Sequence, residues 1–221
     1  MAMEPMLLET MQQQVEEQCQ FALTAIGGMN GCLGAMTELR EQGAHRDMQK
    51  QSEVTDQLWF FANAFLTAVA NIAKHLWPGR RLRKDVREAF PDRGVELRAS
   101  LGVPDESPLD SRMVRNHFEH ADERLEEWWI DNPQHNIARR TIGDARQAIS
   151  LGPGMEMTFH SQFDPDRLTI SFLGDEIELQ PLADAISELY ERATQATDPS
   201  VQFEKRRAEA LERRNIEAEP T

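Results

Sequence analysis

The chain has 221 residues, a formal net charge of −14 at pH 7, 40% hydrophobic residues and four tryptophans. That apolar content excludes a disordered chain and suffices for one domain with a substantial core, or one domain with an appendage. The acidic balance excludes general coating of nucleic acid or anionic membrane, which needs a broad positive field, but leaves room for a local basic cleft.

Cys19 and Cys32 are the whole cysteine complement and have no metal-type spacing, so reduced thiols in a cytoplasmic protein are expected. Met1 to Glu17 has no basic leading region and is broken by charges, which argues against a secretory signal. Residues 4–26 carry Leu7, Leu8, Met11, Val15, Cys19, Ala22 and Ile26 at helical spacing. Gly27-Gly28 and Gly31 then predict a helix break or a close helix–helix approach. A phosphate loop is excluded by the lack of a following Gly-Lys-Ser/Thr and of a preceding strand.

A polar link near Gln42 to Arg46 leads into a second long helix ending about Trp77 at Pro78-Gly79. Its second half, Leu58 to Trp77, is apolar nearly all round and reads as the central helix of a bundle. Asn63, Asn71, Lys74 and His75 interrupt it, so no membrane span is expected. His75, in the last turn, reads as a helix-end cation or surface group.

Between Arg80 and Arg98, seven cations face four carboxylates, a local net of +3. One reading is a solvated helix with pairs such as Arg81–Asp85 and Lys84–Glu88; the other is a phosphate track.

Ser107 to Pro133 reads as one helix with Ser107 as N-cap, Pro108 in the first turn and Asp110 completing a capping box. Asp131-Asn132-Pro133 stops it. At about 100° per residue, Val114, Phe118, Ala121, Leu125, Trp128 and Trp129 share an arc about one third of the circumference wide, as a core-facing stripe does. Arg115, Asn116 and His120 fall off that arc, with Asn116 and His120 one turn apart. The helix is therefore expected to present arginine, amide and imidazole on one polar face.

Arg115-Asn116-His117-Phe118-Glu119-His120 resembles the R-(N/D/H)-x-x-x-H motif of HEPN domains (higher eukaryotes and prokaryotes nucleotide-binding). The resemblance covers six residues, placed early in a long helix that follows other long helices. It implies a helical bundle, a metal-independent endoribonuclease of toxin or phage-defence type, and a homodimer whose two motif helices face each other across a composite cleft. Arg115, Asn116 and His120 would be the catalytic set, RNA the substrate and a protein such as an antitoxin a further partner; no cofactor is implied. Ala121-Asp122 follow His120 in place of the H-x-Y extension of members paired with nucleotidyltransferases, which sets this chain apart from them.

Arginine and histidine suit RNA cleavage chemically. A base must take the 2′-hydroxyl proton, a cation must steady the charged phosphorus centre, and an acid must protonate the leaving 5′-oxygen. Histidine titrates near neutrality and serves as base or acid; arginine offers a fixed planar fork to phosphate oxygens. Two alternatives stand beside this. Arg115 and Glu119 are i,i+4 partners on what would be an ordinary exposed face, and the acidic charge and a β-meander favour a non-catalytic HEPN-like module that binds a protein partner. His117 and His120, with Glu123 a turn further on, would give a metal-dependent hydrolase its N, N and O ligands, although H-E-x-x-H is absent.

Beyond Pro133 the pattern shortens. Gly152-Pro153-Gly154 precedes a run in which Met155, Met157, Phe159 and Phe163 alternate with mostly polar neighbours. Asp164-Pro165-Asp166 turns, Leu168, Ile170 and Phe172 alternate, Gly174-Asp175 turns, and Ile177 and Leu179 make a third run. His160 falls on the polar side and has no assigned role. A closing helix over Pro181 to Ala196 would bury Leu182, Ile186, Leu189 and Tyr190. The expected fold is mainly α, a HEPN-like helical bundle with a small antiparallel β-meander inserted before the last helix. Its domains are 1–133 plus 181–197 for the bundle, 139–180 for the meander and 198–221 for a charged tail, mobile or exposed as a helix.

Overall fold

The computed structural model describes residues 3–43, 47–79, 83–111, 114, 121–143, 157–204 and 207–208. The fold is mainly helical, with a small antiparallel β-meander before the last helices. Helix α1 (Pro5–Glu41) and helix α2 (Met48–Leu76) lie side by side, and α6 (Leu179–Thr197) packs along α1. Between them come α3 (Lys84–Ala89), α4 (Arg93–Ser100) and α5 (Ala121–Asp131).

The three long helices share one spacing. Val15, Cys19, Ala22, Ala25, Met29 and Cys32 are buried on α1; Leu58, Ala62, Phe65, Val69, Ile72 and Leu76 on α2; Leu179, Leu182, Ile186, Leu189 and Ala193 on α6. Alternating steps of three and four residues keep an apolar seam turned toward a neighbour along a whole bundle helix, which is why these elements pack lengthwise. Polar links brace the seam: Asn71 donates to Gln18 at 3.0 Å, and Thr197 donates to Glu16 at 2.5 Å. Among the described residues, no helix is long and apolar enough to cross a membrane.

The glycines of α1 do not break it. The helix runs unbroken through Gly27, Gly28 and Gly31, and the close-approach alternative holds at Gly28, where a Cβ would lie 2.5 Å from the Phe61 ring. Gly94 does the same at the end of α2. A Cβ there would meet Pro78 Cδ at 2.5 Å and the Leu76 carbonyl oxygen at 2.6 Å.

That junction is built from arginines. Arg98 donates from Nη1 to the Leu76 carbonyl at 2.6 Å, lies 5.2 Å from the Trp77 ring centroid, and holds Asp105 through Nε at 3.0 Å and Nη2 at 2.7 Å. Arg93 Nη2 approaches the Lys74 carbonyl at 3.4 Å. Backbone carbonyls at a helix end lack intrahelical partners, and α4 supplies them. The turn after α4 then sends Leu101, Val103 and Leu109 into the core, and Val114 follows, fully buried.

The helix expected from Ser107 begins later. Ser107 to Asp110 form a turn, with Asp110 N–H bonded to the Ser107 carbonyl at 3.0 Å. Ser111 Oγ accepts from Val114 N at 3.2 Å.

The meander consists of β4 (Ser161–Asp164), β5 (Thr169–Phe172) and β6 (Asp175–Glu178), with β2 (Thr141–Ile142) parallel to β4 and β1 (Ile137–Ala138) parallel to β3 (Thr158–Phe159). Phe163, Ile170 and Ile177 stand opposite one another across the three strands, and all three join the bundle core. The second hairpin turns one residue earlier than expected, at Leu173-Gly174 (φ 48° and 96°), so that Asp175 pairs with Phe172. Two consecutive positive φ values match the twist of a two-residue hairpin. Helix α6 starts at Leu179, and residues 199–204 form a further helical segment in which Gln202 donates back to the Ala196 carbonyl.

Gly94→Ala tests the α2–α4 junction. Alanine ordinarily stabilises a helix interior by about 0.5–1 kcal/mol over glycine, but here the methyl meets Leu76 O and Pro78. Urea unfolding should show Gly94→Ala destabilised by about 1–3 kcal/mol, the usual cost of overpacking. Gly31→Ala, where no atom lies within 4 Å, should be neutral or stabilising.

Candidate functional site

Arg115, Asn116 and His120, with His117, lie outside the described residues, as does Phe118 of the expected apolar stripe. Their flanks are described. Val114, immediately before the motif, is buried without remaining exposure, and α5 continues directly after it.

Helix α5 departs from the core-facing expectation. Leu125 is 36% exposed, Trp129 51% and Ile130 79%, and Trp128 is half-buried. The apolar period is present, but the core is already filled by α1, α2, α6 and the inner face of the meander. Periodicity decides which residues share a face; it does not supply a surface to cover them. Arg124 ties α5 to the sheet through Asp175 at 2.5 Å.

The helix stops where Asp131-Asn132-Pro133 predicts. Asn132 bonds the Trp128 carbonyl twice, from its backbone N–H at 3.0 Å and from Nδ2 at 2.8 Å. His135 then folds back, its ring stacked on Trp129 at 3.8 Å between centroids and 11° between planes, with Nε2 3.1 Å from the Trp129 carbonyl. Sequence reasoning missed this stack. The signal was a histidine six residues after a tryptophan across a helix stop, too short a pattern to act on.

The basic stretch expected as a possible phosphate track is largely occupied. Arg83 grips Asp85 through two bonds, of 3.1 and 2.6 Å, Lys84 pairs with Glu88 at 3.7 Å, and Arg98 is committed to Leu76, Trp77 and Asp105. Arg81, the expected partner of Asp85, lies outside the described residues, as does Arg80. Burial holds the Arg93 guanidinium below its ordinary range. The solvated-helix reading therefore fits the exposed pairs, and Arg93 and Arg98 act as braces for α2.

His75 sits half-buried in the last turn of α2, where burial, then the adjacent Arg93 charge, pushes its imidazole below the ordinary 6.5. His160, between β3 and β4, is lowered by burial and then by Arg139, and its Nδ1 lies 2.7 Å from Ser161 Oγ. Ser161 is itself buried, so this pair braces the strand and offers no accessible nucleophile. Burial and then Glu16 push the Cys19 thiol up to about 12, which leaves it protonated at neutral pH. Among the described residues no three His, Cys, Asp or Glu side chains converge as metal ligands; two of the three ligands of the metal alternative, His117 and His120, lie outside them.

Several hollows mark the described surface. One of about 230 Å³ lies between the 103–109 turn and α6, with Pro104, Pro108 and Pro181 in its walls. Another, about 280 Å³, sits on the outer face of the meander around Gln162, Ser171, Arg167 and Glu176, where Arg167 forks onto Glu176 at 2.7 and 2.6 Å. The third, about 460 Å³, is lined by Gln12, Ser100, Arg192 and Gln202. In it Gln12 is spanned to Ser100 at 3.0 Å, and Arg192 donates to the Gly102 carbonyl at 2.7 Å. None of these hollows gathers an acid–base pair suited to phosphodiester chemistry.

No family model, no curated protein and no solved structure matches the chain.

The two depressed histidines give a pH dependence of known sign. A histidine whose pKa is lower in the folded than in the unfolded protein adds stability above about 6.5, and that stability is lost as pH falls toward the folded pKa. Denaturant midpoints should therefore be flat from pH 8 to 7 and fall below about 6.5. His75→Gln combined with His160→Gln should flatten the upper part of that decline. An unchanged slope in the double variant would mean that neither imidazole is held neutral by the fold.

Proposed function

We propose that the chain is a HEPN-type, metal-independent endoribonuclease of the cytoplasm, acting as a homodimer in which Arg115, Asn116 and His120 of each protomer meet in one cleft. The observation that carries this reading is the Arg115-Asn116-x-x-x-His120 motif following a core-anchored Val114 in a mainly helical fold.

In this reading one His120 imidazole takes the 2′-hydroxyl proton. The 2′-oxygen attacks phosphorus, and the 5′-oxygen leaves with a proton from the His120 of the other copy. The products are a 2′,3′-cyclic phosphate and a 5′-hydroxyl. Arg115 binds the nonbridging oxygens as they gain charge, and Asn116 orients the imidazole or bonds a phosphate oxygen.

A second reading is favoured by the ion pairs of Arg83, Lys84 and Arg98 within a chain of net charge −14: a HEPN-like module that binds a protein and cuts nothing. Purified protein incubated with total RNA in EDTA separates the two. Wild type should cleave and leave 2′,3′-cyclic phosphate ends. His120→Ala and Arg115→Ala should lose about 10²–10⁴ of the rate, the usual worth of a positioned acid or base, with unchanged unfolding midpoints. Folded protein that cuts nothing supports the binding module; cleavage only when divalent metal is restored supports the metal-dependent alternative.

A further inference from the structure

On the apolar seam of α1, one polar side chain stands where the spacing calls for a hydrophobic one. Gln12 precedes Val15, Cys19 and Ala22 at the same steps of three and four residues, and it is only 3% exposed. Its Nε2 donates to Ser100 Oγ at 3.0 Å, and that hydroxyl donates onward to the Leu97 carbonyl at 2.9 Å. The Gln12 oxygen and its second N–H have no partner among the described residues. Gln202, 8% exposed, repeats the pattern: its Nε2 donates to the Ala196 carbonyl, and its oxygen likewise has no described partner. Neither oxygen is sealed from solvent, since the unmet side-chain atoms closed off among the described residues are Trp59 Nε1 and Arg93 Nε. Both glutamines line the hollow of about 460 Å³.

We propose that this hollow binds an uncharged small molecule that carries a primary amide or lactam on a small apolar body. A buried amide costs stability unless its donors and acceptors are met, and both of these amides are met on one side only. The open edge of a carboxamide sets an acceptor beside a donor, and a second amide complements it through a pair of antiparallel hydrogen bonds. The floor suits the rest of such a molecule: Leu101 is buried, and Ala196 and Val201 add apolar surface. An anion has little hold here. Arg192, the charged residue of the walls, is engaged by Glu188 at 2.9 Å and by the Gly102 carbonyl at 2.7 Å. The volume falls within the range of small-ligand sites, about 300–1,000 Å³. Because the walls join α1, the end of α4, α6 and the 199–204 segment, a ligand held by both glutamines fastens that last segment to α1. The inference stands apart from the nuclease reading, because none of these side chains belongs to the motif.

The test uses the full chain with benzamide as probe, beside benzoate, which has the same ring but a charged group that only accepts. Benzamide should move the side-chain NH2 resonances of Gln12 and Gln202 and the backbone resonances of 100–102. The shifts should saturate near about 1 mM, the scale for so small a ligand. Hydrogen exchange across 199–204 should slow as the site fills, since a ligand stabilises the state it binds. Benzoate should bind about tenfold more weakly, having lost the donor side of the pair. Gln12→Leu and Gln202→Leu keep the bulk and remove the amide, and each should weaken benzamide about tenfold in a chain still folded by circular dichroism. Should one variant fail to fold, the other decides. Gln180→Leu, on an exposed glutamine of α6 that is bonded to Asp184, should leave affinity unchanged. Absence of shifts at about 10 mM benzamide, equal binding of benzoate, or full affinity in the folded leucine variants would each overturn the proposal.

Discussion

At the C-terminal end of α2 the Leu76 carbonyl, which has no partner within its own helix, accepts a 2.6 Å bond from the Arg98 guanidinium. Arg98 is almost fully enclosed, with 12% of its side chain exposed, and Asp105 supplies the countercharge. A charge drawn this far from water is tolerated only when paired and hydrogen-bonded, and both conditions are met. Gly94 lets the backbone of α4 come close enough for the bond to form. From that contact the order of the rest follows: α4 is fixed against α2, the turn after it buries Leu101, Val103 and Leu109, and Val114 is delivered to the core one residue before Arg115. The position of Val114 thus depends on a helix end about twenty residues of chain upstream of Arg98.

Much of this was legible in the sequence. Seams of three and four residues in the long helices, the alternation of Phe159, Phe163, Ile170 and Phe172, and the Asn132-Pro133 stop are local periodicities and local chemistry. They translate directly into elements. Three things did not translate. A guanidinium in a charged run has the same sequence signature whether it is solvated, pairs with phosphate or caps a distant helix, so the bracing role of Arg98 and Arg93 needed the tertiary contact. His75 was legible as a helix-end residue but not as a half-buried one beside Arg93. Ser107-Pro108-x-Asp110 carries a good capping pattern, yet these residues form a turn, and the Val114 N–H bonds Ser111 Oγ. The stripe read as a core face holds at Val114 and fails at Leu125 and Trp129, because a one-dimensional pattern contains no information about which faces the rest of the chain can cover. The candidate site itself is legible only as sequence: its three residues lie outside the described ones, and the structure speaks for their flanks.

Charge links these observations to function. The chain is strongly acidic, several of its clustered cations serve the fold or pair with neighbouring acids, and α5 adds exposed carboxylates directly after the motif in sequence. An enzyme built this way would hold RNA through a few directed contacts, with Arg115 foremost, and would bind weakly in the absence of a complete cleft. One chain offers one arginine and one imidazole from the motif, whereas in-line cleavage needs a base, an acid and a cation at a single phosphate. The proposed composite site meets that requirement by association, which makes activity a property of the dimer.

The dependence of RNA-cleavage rate on protein concentration, measured on samples whose association state is followed by sedimentation, tests that claim most directly. A composite site predicts a specific activity that rises in proportion to the dimer fraction and approaches zero on dilution to monomer. A specific activity that stays constant while the protein dissociates would contradict it, and would place any cleavage within a single chain.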